Sequence, residues 1–136
     1  MDTESTRTLV QNFLEARSKG DLDGITAALA DDARWLLPQS STFGPFEGRD
    51  AVAKALGGGV SGSLFEPGTI KREIRKMVVE GDTAIVQQRL SARTRQGTDY
   101  VNEYCWVYTC RGGKIALLEE YADTLYAGRV FGTVAS

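Results

Sequence analysis

TIKREIRKMVVEGDTAIVQQRLSARTRQGTDYVNEYCWVYTCRGGKIALLEEYADT, residues 69–124, decides the fold. Turn signals at EGD (80–82), RQGTD (95–99) and RGGK (111–114) divide it into four strands, 69–79, 83–95, 99–110 and 114–124. Strands joined by such short turns pair antiparallel. Each runs to about 11–13 residues, roughly twice the common length, so a compact sheet made of them must curl strongly.

Working outward, residues 5–19 place Leu9, Val10, Phe13 and Leu14 on one helical stripe that Gly20 stops. Asp21 caps a second short helix with Leu22, Ile25, Ala28 and Leu29 on its apolar side. Asp31 and Asp32 end it, and Arg34 to Leu37 read as a short strand stopped by Pro38. QSSTFGPFEG (39–48) reads as loop with at most one short strand, and a third helix starts near Asp50 with Val52 and Leu56 inward. That helix dissolves into GGGVSGS (57–63), which follows a helix and lacks the Lys–Ser/Thr of a phosphate loop. The run is expected to be a mobile loop at a pocket mouth. Three helices followed by long strands define an α+β fold: a curled, mainly antiparallel sheet packed with three N-terminal helices into a cone with a pocket. The 136 residues, without repeat or linker, are expected to form one domain over 1–136.

Composition removes whole classes of function. Hydrophobic residues at 42% and charged ones at 25% are ordinary soluble proportions. Sixteen basic against 18 acidic residues leave −2 with no basic run, which argues against nucleic acid or a polybasic membrane patch. No apolar stretch is long enough to span a membrane, and MDTESTRTLV is too polar for a secretory signal. Cys105 and Cys110 fall in one strand, about 16 Å apart on opposite faces, so they cannot be bridged. Two reduced thiols fit a cytoplasmic protein. The histidine count is 0, which removes Ser–His and Cys–His nucleophile pairs and most catalytic zinc sites. Chemistry is left to carboxylates, tyrosines, amides and backbone.

The period of two sorts the strand residues by face. Tyr100, Asn102, Tyr104, Trp106 and Tyr108 form an aromatic ladder with one amide in it, suited to core packing, a dimer face or a ligand wall. Ala84, Val86, Gln88, Leu90 and Ala92 make the apolar face of their strand, so Gln88 is an amide among apolar groups that needs a partner. In the last strand Leu117, Glu119, Tyr121 and Asp123 share a face. The charges of KREIRK (71–76) and the acids of the first helices read as a solvated surface.

VQNFLEARSKGDLDGITAALADDARWLLP (10–38) resembles the opening of the ketosteroid isomerases. With EGRDAV (47–52), YVNEYCW (100–106), GGKI (112–115) and EEYADT (119–124), the chain resembles a SnoaL-like member of the nuclear transport factor 2-like superfamily over about residues 5–132. The resemblance implies a cone with a deep apolar pocket for a hydrophobic small molecule, and a homodimer through the convex sheet face. It does not choose an activity, since one cone hosts many. Steroid isomerisation in the resembling enzymes needs a tyrosine where this chain has Phe13, a carboxylate where it has Leu37, and an aspartate where it has Trp106 or Cys105. Phe13 and Leu37 can neither donate nor accept a proton, so that reaction is not expected. The limonene-epoxide hydrolases align an aspartate with Asp123 and an arginine with Arg89, whose partner carboxylate is replaced by Ser91. Their tyrosine and asparagine fall near Trp35 and Leu37, and Glu119 could stand in for the missing acid. That analogy wants Arg89 inside where periodicity wants Gln88, and we follow periodicity because the alignment is open by one residue.

On the resemblance, Asp123 faces the pocket and brings Glu119 and Tyr121 with it. The reading is an isomerase, cyclase or epoxide-opening hydrolase that works without metal or organic cofactor. Asp123 shuttles the proton, with Glu119 as a further acid. Tyr104, Asn102 and Gln88 orient polar groups, and Phe13, Trp35, Leu37, Trp106, Tyr108 and Tyr121 bind the ligand's apolar body. The alternative is a non-catalytic binder of an apolar metabolite, motivated by the loss of every ketosteroid-isomerase role.

Overall fold

The computed structural model describes residues 1–133. Its elements run α1 (Thr3–Lys19), α2 (Leu22–Ala28), β1 (Leu29–Leu36), β2 (Phe46–Glu47), α3 (Arg49–Lys54), α4 (Ser61–Leu64), β3 (Lys71–Glu80), β4 (Thr83–Arg93), β5 (Asp99–Arg111), β6 (Lys114–Ala122) and α5 (Thr124–Phe131). The strands form one sheet in the order β2-β1-β6-β5-β4-β3. β1 runs parallel to β6 and every other pairing is antiparallel. The sheet stays open, and helices cover its concave face: the α+β cone expected from the pattern of helices and strands.

Asp2 starts α1 by accepting the Ser5 N–H at 2.7 Å, and Gly20 ends it in the left-handed conformation. The buried positions Thr6, Val10, Phe13 and Ala16 then face the sheet at helical spacing. The β5–β6 hairpin turns on Gly112 (φ 60°) and Gly113 (φ 79°), a backbone that side chains disfavour. Along β4 and β5 strict alternation holds, and Ala84, Val86, Gln88, Leu90, Tyr100, Asn102, Trp106 and Tyr108 all lie buried. Cys105 and Cys110 are both free, on opposite faces of β5.

Three local readings are corrected. β1 begins at Leu29, where a helix end was expected. Leu29 pairs with Ile115 and Arg34 with Leu117, so Asp31 and Asp32 sit exposed in a register break rather than ending a helix. The glycine run keeps winding: Ala55–Gly59 forms a π-turn with Gly58 at φ 118°, and α4 follows. Thr124–Phe131, to which the sequence reading assigned no element, is α5. Its signals were an N-cap aspartate at 123 and a stop glycine at 132.

Two bulges bend the sheet and reset the phase of its strands. In β6, Thr109 pairs with Leu117 but Cys110 pairs with Ile115, so Ala116 is the extra residue. Ile115 and Leu118 are therefore both fully buried although three apart. Beyond the bulge Glu120 and Ala122 face inward, and Glu119 and Tyr121 face out. In β3 the shift between Ile74 and Lys76 makes Arg75 the extra residue. Arg72, opposite Leu90, then shares the inner face with Met77 and Val79.

Candidate active site

The buried apolar residues form two clusters. One packs α1, α2 and α3 on the sheet around Phe13, Trp35, Trp106 and Leu118. The other gathers Phe65, Leu90, Ala92 and Tyr100 beneath α5. Tyr104 touches both, and between them lies a cavity of about 260 Å³. Its aromatic walls include Trp35, Phe65, Tyr100, Trp106 and Phe131, and its mouth is edged by Ser40 to Phe43 and by Val60 and Ser61. Among the described lining residues, three carry charge: Arg17, Arg72 and Glu120.

Each charge enters for a structural reason. Arg17 follows Phe13 by four and Val10 by seven, so it continues the buried stripe of α1. Its guanidinium lies 5.2 Å from the centroid of the Trp106 ring, a cation–π contact, and Trp106 stacks on Tyr108 at 5.8 Å. The β3 bulge turns Arg72 inward, and the β6 bulge does the same for Glu120. Burial pushes the Glu120 carboxyl up to about 7, against the opposing pull of the Arg17 charge. The Trp35 indole also favours the charged carboxylate, although its Nε1–H closes no hydrogen bond. Burial, and then the like charge of Arg17, bring Arg72 down to about 10. Arg17 is likewise lowered by burial, and the Tyr104 and Tyr108 hydroxyls are raised by it.

A polar relay runs along β5. Asn102 Nδ2 donates to the Tyr100 hydroxyl at 2.8 Å and to the Asp123 carbonyl at 3.1 Å. Tyr100 and Tyr104 share a hydrogen bond of 2.7 Å that brings the Tyr104 hydroxyl to the cavity. Other polar atoms around the cavity are buried without a partner. They are Arg17 Nε and Nη1, Arg72 Nε, the Trp35 and Trp106 indole nitrogens, the Tyr108 hydroxyl and Gln88 Oε1. Buried polar atoms in folded proteins are nearly always paired, so this concentration marks a place that receives something polar.

The expected site residues divide. Gln88, Tyr104, Trp35, Leu37 and Trp106 line the cavity. Asn102 supports it from behind through Tyr100, while Phe13 packs edge-on against Tyr108 in the core at 5.6 Å. Arg89 points outward to Glu103 at 2.7 Å, as periodicity implied. Asp123, Glu119 and Tyr121 lie outside the lining. Asp123 is exposed and caps α5, its Oδ1 accepting the Tyr126 N–H at 3.1 Å. Glu119 and Tyr121 instead border an adjoining groove beside Leu36 and Gln39, which shares Leu37, Pro38 and Glu120 with the cavity, because the Ala116 bulge reverses the face on which they were placed. Sequence reasoning missed Arg17, Arg72 and Glu120. Only Arg17 left a readable signal, its place at the end of the α1 stripe.

An open, curled sheet closed by helices over a cavity with few charges defines a cone-type α+β fold. Residues 10–118 match the SnoaL-like domain. The chain belongs to that family. No curated protein matches it in sequence. Among solved structures, Bal32a from a soil-derived mobile gene cassette is 26% identical over 96% of this chain and 98% of its own, with a TM-score of 0.83. TerC co-crystallised with polyporic acid is 20% identical over 94% and 98%, with a TM-score of 0.80. An LEH-like epoxide hydrolase from M. tuberculosis is 22% identical over 98% and 95%, with a TM-score of 0.71. At such identities these likenesses carry the fold alone. Among the described residues no helix is long and apolar enough to cross a membrane, and no group of His, Cys, Asp or Glu converges as a metal site.

Proposed function

We propose that the protein is a small-molecule isomerase or cyclase that moves a proton with Glu120, on a largely apolar substrate held in the cavity. The observation that carries this reading is the placement of one carboxylate among aromatic walls, in a cavity that two guanidinium groups with unpaired N–H donors also line. Glu120 in its charged form takes a proton from the carbon beside a substrate carbonyl. The C–H electrons form the enolate, whose oxygen carries the charge. Arg17, Arg72 and the Tyr104 hydroxyl stabilise that oxygen, acting where little water screens them. Protonated Glu120 then returns the proton to another carbon, giving an isomer. In the cyclase case the enolate carbon attacks a second carbonyl carbon of the same molecule, whose C=O π electrons move to oxygen, and the resulting alkoxide takes the proton back from Glu120, giving a ring alcohol. A carboxyl poised near neutrality suits both halves of the cycle. Epoxide opening asks for a base on water and an acid on the epoxide oxygen together, and the described lining offers one carboxylate, so enolate chemistry fits better.

5-Nitrobenzisoxazole reports on such a base directly: loss of its ring C–H proton breaks the N–O bond and releases a coloured phenolate. Glu120→Gln keeps the side chain's shape and should slow this elimination by about 10²–10⁴-fold. An undiminished rate per folded molecule would leave the non-catalytic binder as the better reading.

The outer sheet face supports assembly as a homodimer, since Val78 and Ile85 pair across β3 and β4 and stand 54% and 40% exposed. Light scattering that finds only monomer would remove this part of the proposal.

A further inference from the structure

Charge and hydrogen-bond supply inside the cavity do not balance, and the sign of the imbalance identifies the ligand's chemistry. Two guanidinium groups share the cavity with one carboxylate, and burial favours that carboxylate's neutral form. A guanidinium cannot shed its proton to escape burial, and Arg72, even brought down to about 10, stays charged at neutral pH. The unpaired atoms are nearly all donors: Arg17 Nε and Nη1, Arg72 Nε, and the indole N–H groups of Trp35 and Trp106. Against them stand fewer acceptors: Gln88 Oε1, the Tyr108 hydroxyl, which can accept or donate, and the single carboxyl of Glu120. Trp35, Trp106 and Gln88 are 4%, 3% and 2% exposed, so bulk solvent does not satisfy them. Leaving a buried charge unpaired is costly. A neutral hydrocarbon-like ligand would exclude remaining water and aggravate that cost.

We infer that the natural ligand carries a carboxylate on a flat aromatic or conjugated body, and that the carboxylate sits between Arg17 and Arg72. This rests on the reading of the cavity as the ligand site made above, and not on Glu120 being catalytic. The guanidinium fork matches the two carboxylate oxygens, and Arg17 is already oriented by its contact with the Trp106 ring. The flat body lies along Trp35, Phe65, Leu90 and Phe131, all of which line the same cavity. Gln88 Oε1 accepts from a ligand hydroxyl or from a water that the ligand retains.

The test compares an acid with its neutral isostere. Calorimetric titration of the full chain with 2-naphthoate and with 2-naphthamide, at about pH 6 where Glu120 is largely protonated, should show the acid bound at least about ten-fold more tightly. Arg17→Met and Arg72→Met should each bring the acid's affinity down to that of the amide, with amide binding retained. Arg72 lies on the edge strand, so its variant serves if Arg17→Met fails to fold. Equal binding of acid and amide overturns the inference. So does the absence of heat with either probe at millimolar concentration, or an intact acid preference in the arginine variants. The readout is separate from the elimination rate. Loss of the acid preference with a Glu120-dependent elimination intact removes the ligand class and keeps proton transfer, and the converse pair of results does the reverse.

Discussion

Asp123 and Glu120 stand three residues apart and meet opposite surroundings. Asp123 is exposed and holds the first turn of α5, where a side-chain oxygen meets an otherwise unpaired backbone N–H. Glu120 is enclosed among aromatic rings, where its charge is supported by Arg17 alone among the ionisable groups that act on it. Their substitutions should therefore separate. Asp123→Ala should lower stability by about 1 kcal/mol, the usual worth of an N-cap, in urea denaturation. Asp123→Asn should be nearly neutral there, and neither change should slow benzisoxazole elimination. A large rate loss in folded Asp123→Asn would return the catalytic role to the residue that the family resemblance favoured. Gln88 and Arg89 make the complementary case, because a period of two along an unbroken strand was enough to assign both.

At the scale of elements, what was legible depended on whether a strand kept its period. β4 and β5 do, so the Tyr100–Tyr108 ladder and the inward Gln88 were readable from the residues alone. β3 and β6 each carry a bulge, and one extra residue reverses every side chain beyond it. Counting from Ile115, Glu119 and Tyr121 fall inside; counting past Ala116, Glu120 does. Nothing in IALLEE distinguishes these phases, because Leu117 and Leu118 are equally apolar. The same ambiguity hid Arg72 among the charges of KREIRK. The bulge assigns unequal roles to that leucine pair, with Leu118 fully buried and Leu117 half-buried. Leu118→Ala should cost about 2–5 kcal/mol in chemical denaturation, and Leu117→Ala clearly less. The opposite order would mean that β6 runs without its bulge and that Glu120 faces outward.

For the whole molecule, enclosing Glu120 links the cone's stability to pH. The carboxyl titrates near 7 in the folded chain and near its ordinary 4.5 when unfolded. Between those values the folded state holds the proton that the unfolded state has lost. Stability is therefore highest below the unfolded value and falls as pH rises through about 7, by roughly 3 kcal/mol in total. The curled sheet, the helices over it and the two bulges together create the partly buried surroundings that set this value, so Glu120 reports on all of them. A carbon-13 NMR titration that follows the Glu120 side-chain carboxyl in the intact chain is the most direct test. The account predicts an inflection near pH 7. An inflection near 4.5, its ordinary value, would contradict it.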